Sequence, residues 1–154
     1  MTDIQNQFDN KRRILLDLLD SPVIDVRHIG STALGDEGIM DILVIVPNLH
    51  AMTTLDEKRL NQSGFYRLHH PYHKKCVFSE FHDLISLKEK CRLHIVENNG
   101  NKARIYLEAQ NMLAESEALA AEFRSYKEKI RHLSQKDYES AKANWFRLRI
   151  ANKH

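Results

Sequence analysis

The chain has 154 residues, 42% hydrophobic and 29% charged, with 23 Lys and Arg against 21 Asp and Glu. That length fits one domain, residues 1–154, able to bury about two-thirds of its unfolded surface without a metal or disulfide staple. A net charge of +2 is too small for the basic stripe that marks nucleic-acid binding, which argues against that partner. The longest apolar run, Ile42 to Val46, is five residues, far short of the roughly 18 a membrane span needs. The N-terminus is mixed in charge with no apolar h-region, and the cysteines Cys76 and Cys91 fit reduced thiols, so a cytoplasmic location is expected.

Residues 4 to 19 place Ile4, Phe8, Leu15, Leu18 and Leu19 at helical spacing, and Ser21-Pro22 ends that helix. Val23 to Ile29 reads as a short strand. After a glycine-containing stretch, Gly30 to Gly38, the run Ile39 to Val46 is apolar on both faces, as in a strand at the centre of a sheet. Asp41 is its only charge. A helix over residues 50 to 62, on Met52, Leu55 and Leu60, is closed by Gly64. Strands are expected at Phe65 to His69, Lys75 to Phe81 and Cys91 to Val96, with Leu84 to Leu87 a further candidate.

The last third is helical. Ile105, Tyr106, Ala109, Met112 and Leu113 make one stripe, and Leu119, Phe123, Tyr126 and Ile130 a second after a break near Ser116. Ser134 with Asp137 three residues on opens a third helix through Tyr138, Ala141, Trp145 and Leu148. The element order is that of an α+β protein: a small mixed β-sheet flanked by helices, with a helical C-terminal part.

The informative stretch is Ile29-Gly30-Ser31, nine residues, then Asp41-Ile42-Leu43-Val44. Glycine lets a backbone approach phosphate closely, and a serine after it adds a hydroxyl donor. A lone aspartate on an apolar strand must be paired, metal-bound or protonated. With a phosphate ligand, Mg²⁺ is the cation that suits such oxygen donors.

This pattern resembles the nucleotidyltransferase superfamily signature, in which an apolar-Gly-Ser turn precedes an Asp-apolar-Asp/Glu strand. Leu43 stands where the second carboxylate belongs. The runs Arg27-His28-Ile29-Gly30-Ser31-Thr32-Ala33, Ile39-Met40-Asp41-Ile42 and Leu93-His94-Ile95-Val96-Glu97 resemble the GrpB family within that superfamily. So do Tyr126-Lys127, Asp137-Tyr138, Ala141-Lys142 and Phe146. Gly38-Ile39 replaces the family's Lys-Pro before the Asp strand, and Asp36-Glu37 add negative charge. The resemblance implies a nucleotidyltransferase-like fold that binds a nucleotide or phosphorylated small molecule with Mg²⁺. It implies Gly30, Ser31 and Thr32 at phosphate, Asp41 at the metal, and His28 and His94 lining the same cleft. In that reading His94 acts as general acid/base or phosphate donor, and the helices contribute Lys127 and Lys142.

Plainer roles compete with these. Gly30-Ser31 can be a turn with Ser31 as helix cap, and Asp41 can pair with Arg27 or a histidine. Cys91 and His94, like His73 and Cys76, have zinc-like spacing, but three residues apart on a strand they face opposite ways. Lys142, Arg147, Arg149 and Lys153 lie in a mixed-charge helix, as on a solvated face. Glu80 and Glu97 are the acidic residues that could join Asp41. Two functions stay open: a Mg²⁺-dependent nucleotidyltransferase, or a non-catalytic ligand-binding or protein-interaction module that keeps the fold.

Overall fold

The computed structural model describes residues 3–18, 23–36, 38–49, 54–68, 74–98 and 100–153, without side chains at 31, 54, 55, 135, 139 and 150–153. The chain forms two compact units, Met1–Ala103 and Arg104–His154. The first runs α1 (Asp3–Leu18), β1 (Asp25–Ile29), a 3-10 turn (Ser31–Leu34), β2 (Met40–Val46), α2 (Thr54–Gln62), β3 (Phe65–Arg67), β4 (Lys75–Phe81) and β5 (Glu89–Glu97). The strands form one sheet in the order β1-β2-β5-β4-β3. β2 and β5 are parallel; every other neighbouring pair is antiparallel.

Strand alternation assigns the two faces. Val26, Met40, Ile42, Val44, Val46, Phe78, Leu93 and Ile95 pack with Leu15 of α1 and Leu60 of α2 to form the core. Ile4, Phe8 and Leu18 extend that contact along α1, the stripe read from the sequence; Leu19 lies outside the described residues. Lys11 ties α1 to β4 through Glu80 at 2.5 Å. The other face carries Ile29, Asp41, Leu43, Ile45, Val77, Ser79, Arg92, His94 and Val96. All of these except Asp41 are buried, so β2 is covered on both sides as its unbroken apolar sequence requires.

Two features depart from regular alternation. Glu80 pairs with Cys91, but the next rung pairs Phe81 with Glu89, so β5 carries an extra residue at that point. This bulge turns Glu89 onto the face of Ser79 and Arg92. The strand expected at Leu84 to Leu87 is instead a turn. Asp83 accepts from the backbone N–H of Ile85 (2.9 Å) and Ser86 (2.7 Å), and Leu87 adopts φ 55°, in the left-handed region. A side chain that satisfies the backbone locally leaves nothing for a ladder to bond.

The second unit is helical: the rest of α3 (Asn101–Glu115), α4 (Glu117–Ile130) and α5 (Gln135–Lys153). The break near Ser116 is a helix cap, where Ser116 Oγ accepts from Leu119 N at 3.1 Å. Ser134 likewise accepts from Asp137 N at 3.3 Å as α5 begins. Phe123 packs between Trp145 and Phe146, with ring centroids 5.2 and 4.8 Å away. Among the described residues no helix is long and apolar enough to cross a membrane.

Candidate functional site

β1 ends at Ile29, and Gly30 turns the chain with φ 76°. A Cβ at Gly30 would lie 3.0 Å from Asp41 Oδ2, so the turn passes directly against that carboxylate. Both requirements, left-handed backbone and close approach, select glycine. Ser31 begins the 3-10 turn that follows, and its side chain lies outside the described residues. Thr32 is buried, and its hydroxyl is 2.8 Å from His28 Nε2. That bond commits Thr32 to holding the turn.

His28 projects from the helix-covered face, stacked on Phe8 with ring centroids 4.8 Å apart. The shared cleft expected for His28 and His94 is therefore not what the register builds: the two rings leave opposite faces of the sheet. Burial lowers the His28 pKa, opposed by the charges of Asp41 and Asp9.

Asp41 sits one strand in from Ile29. Its Oδ1 is 3.0 Å from Nε2 of His94, which is 1% exposed. An ionised carboxylate only accepts, so in that pair the imidazole donates from Nε2. Parallel pairing of β2 with β5 makes the contact: Asp41 lies across from Arg92, and Leu43 across from His94. Of the partners the sequence left open for Asp41, a histidine takes the carboxylate, while Arg27 reaches Asp25 on its own strand at 3.2 Å.

Leu43 has no exposed surface, so the position of the superfamily's second carboxylate is packed core. Neither acidic candidate reaches Asp41. Glu80 faces the helices and holds Lys11; Glu97 lies across from Val46, at the other end of β2, and accepts from Leu49 N at 3.0 Å. A carboxylate that shares the Asp41 face, at the same end of the sheet and beside Arg92, is Glu89. Its Oε2 accepts from Ser79 Oγ at 2.8 Å and from Arg92 Nε at 2.9 Å, and Oε1 accepts from Arg92 Nη2. Sequence parity hid it, because three residues from Arg92 on a regular strand it would face away.

Among the described residues no three His, Cys, Asp or Glu side chains gather as a cation cage. These residues do not fit a two-ion centre. They do fit a single Mg²⁺ that keeps most of its ligands from water and phosphate and takes one carboxylate, Asp41, from the protein. Cys91 and His94 do not serve zinc, because they face opposite ways and burial pushes the Cys91 thiol up to about 12; His73 lies outside the described residues.

Lys127 and Lys142 belong to the second unit, both half-buried, with the Lys127 ammonium 5.4 Å above the Phe123 ring. Arg149 lies 4.4 Å over Trp145 and 3.8 Å from Glu122, held within the same helices. The Lys153 side chain lies outside the described residues.

The family model described as GrpB protein matches residues 2–152. The chain belongs to the GrpB family. The glutamate-rich protein GrpB of Alkalihalophilus pseudofirmus is 31% identical over 127 residues, 80% of this chain and 73% of that protein. The crystal structure of GrpB from Enterococcus faecalis superposes with a TM-score of 0.73 at 18% identity, over 96% of this chain and 94% of that one. Beyond GrpB proteins, the fold is shared with Cid1, an RNA terminal uridylyl transferase: TM-score 0.52, 17% identity, 84% of this chain but 38% of Cid1. The GrpB-family chain thus has a nucleotidyltransferase-like α+β fold, and it spans little more than a third of Cid1.

Proposed function

We propose that this GrpB-family chain binds a nucleotide or another phosphate-bearing metabolite together with one Mg²⁺ at the end of the sheet formed by Gly30 and Asp41. The observation that carries the reading is the approach of the Gly30 turn to the Asp41 carboxylate, 3.0 Å from a Cβ position to Oδ2. The turn leaves no side chain between backbone and ligand, and a carboxylate waits beside it. Cid1, which shares the fold, is described in complexes with MgGTP and with the UTP analogue UMPNPP.

In this reading Gly30 and the Ser31 turn receive phosphate, and Asp41 offers an oxygen to the cation. His94 fixes the carboxylate through the 3.0 Å bond from Nε2. When bound, Mg²⁺ neutralises negative charge on the phosphoryl oxygens. Any turnover belongs to the nucleotidyl- or phosphoryl-transfer class, where positioning and charge stabilisation do most of the work.

A second reading, binding without turnover, is favoured by the complete burial of Leu43 at the second carboxylate position. The binding test is thermal unfolding of the full chain with ATP, GTP, CTP or UTP, each with and without Mg²⁺. A ligand at about 100 times its Kd adds roughly 2.7 kcal/mol, a shift of several degrees. Asp41→Asn should abolish the Mg²⁺-dependent part. An unchanged shift in that variant removes Asp41 from the cation. Product release from the nucleotide that binds, tested over a panel of acceptors, separates the enzyme from the binding module.

A further inference from the structure

We propose that Arg92 and Ser79 form the phosphate cradle of this site, and that Glu89 is a built-in anion which an incoming phosphate displaces. The inference rests on the phosphate-binding reading above and assigns its anion subsite.

Three donors converge on one carboxylate. Arg92 presents Nε and Nη2 side by side, and Ser79 Oγ adds a third from β4. A guanidinium fork matches two oxygens of a carboxylate and two of a phosphate equally well. Glu89 uses both of its oxygens in the pair. The donors are the buried members: Arg92 is 7% exposed and Ser79 has no exposed surface, while the Glu89 side chain is 19% exposed. The carboxylate therefore plugs the cradle from its open side.

The location is right for the site. Arg92 stands directly across from Asp41 on the adjacent parallel strand, on the same face, at a strand spacing of about 4.8 Å. A phosphate on the guanidinium would lie beside the Asp41 carboxylate, which could share its cation. The β5 bulge is what brings Glu89 to this face. Glu89 is also the first residue of β5, next to the exposed turn over residues 82–88, so it can swing out without breaking the ladder that holds Arg92. A bulge that re-aims a side chain is a common device beside binding sites.

The discriminating experiment is calorimetric titration of the full chain with inorganic tripolyphosphate and Mg²⁺ at fixed ionic strength. Glu89→Gln keeps the size of the side chain but not its charge. It should bind tripolyphosphate about tenfold tighter than wild type, equivalent to 1.4 kcal/mol. Ser79→Ala added to Glu89→Gln should lose part of that gain. Arg92→Lys, which keeps charge without the fork, should lose most of the affinity; should it not fold, the comparison of Glu89→Gln with wild type decides. A purely structural ion pair gives the opposite pattern, a lower Tm for Glu89→Gln and no gain in affinity, and that overturns the proposal.

Nucleotide titrations of wild type keep the two ideas apart. Nucleotide binding with Mg²⁺ that Glu89→Gln leaves unimproved rejects the cradle alone. A tighter tripolyphosphate complex in Glu89→Gln, with no nucleotide bound by wild type, keeps the cradle and rejects the nucleotide site. Absence of all binding rejects both.

Discussion

Gly30 lies so close to Asp41 that a methyl group on its Cα would stand 3.0 Å from Oδ2. Its φ of 76° is also one that residues with a Cβ adopt at a cost. Gly35 separates the two effects, since its φ is 95° but among the described residues nothing lies within 4 Å of a Cβ there. Gly35→Ala should therefore report backbone strain alone, about 1 kcal/mol. Gly30→Ala should cost more, about 2–3 kcal/mol, by adding the clash with the carboxylate. Urea unfolding of both variants measures the difference. Equal losses would mean that Asp41 moves aside freely and is not set by the turn.

His28 makes stability depend on pH. Its folded pKa lies below the usual 6.5, because burial against Phe8 and Thr32 outweighs the attraction of Asp41 and Asp9. The unfolded chain therefore takes up this proton first as pH falls. The stabilising contribution is fully present above about pH 6.5 and is lost as pH drops through the lower, folded value. His28→Gln, which can still reach Thr32, should flatten the fall in stability between pH 7 and 5 relative to wild type. Parallel curves for the two proteins over that range would show that His28 is not the group responsible.

The two thiols should differ in reach rather than in chemistry. Burial raises the pKa of both, Cys91 to about 12, and Cys91 has no exposed surface while Cys76 is partly open. The thiolate is the reactive form, so neither is an activated nucleophile. Iodoacetamide at pH 8 should label Cys76 slowly in the folded protein and Cys91 only under conditions that unfold it. Mass spectrometry of the labelled peptides reads this directly. Fast labelling of Cys91 in the native state would require the first unit to open at β5.

Local signals in the sequence led to the elements, and long-range pairing decided the site. Ser134 was readable as a helix start because a cap acts within three residues, whereas Ser116 was readable only as the place of a break and proves to be a cap as well. β2 was readable as a central strand because burial on both faces demands an unbroken apolar run. The partner of Asp41 was not, since His94 lies 53 residues away and reaches it only through the parallel β2–β5 register. Strand parity separated Cys91 from His94 correctly. The same parity misplaces Glu89, because the bulge adds a residue that the sequence does not announce. A Glu three residues before a buried Arg was the one available hint.

Leu43 tests whether the second carboxylate position has become core. The side chain is fully buried, on the face it shares with Asp41 and across from His94. Leu43→Ala should cost about 2–5 kcal/mol through lost burial and the cavity left behind. Leu43→Asp should cost more still, because it buries a charge two residues from Asp41 on the same side of the strand. Unfolding free energies in the absence of Mg²⁺ give both values. Adding Mg²⁺ then distinguishes two kinds of site. A surface that has given up the second ligand position leaves Leu43→Asp less stable than Leu43→Ala at any Mg²⁺ concentration. Recovery of Leu43→Asp above Leu43→Ala on adding Mg²⁺ would mean that the backbone still holds a two-ion geometry, and the catalytic reading would then outweigh binding without turnover.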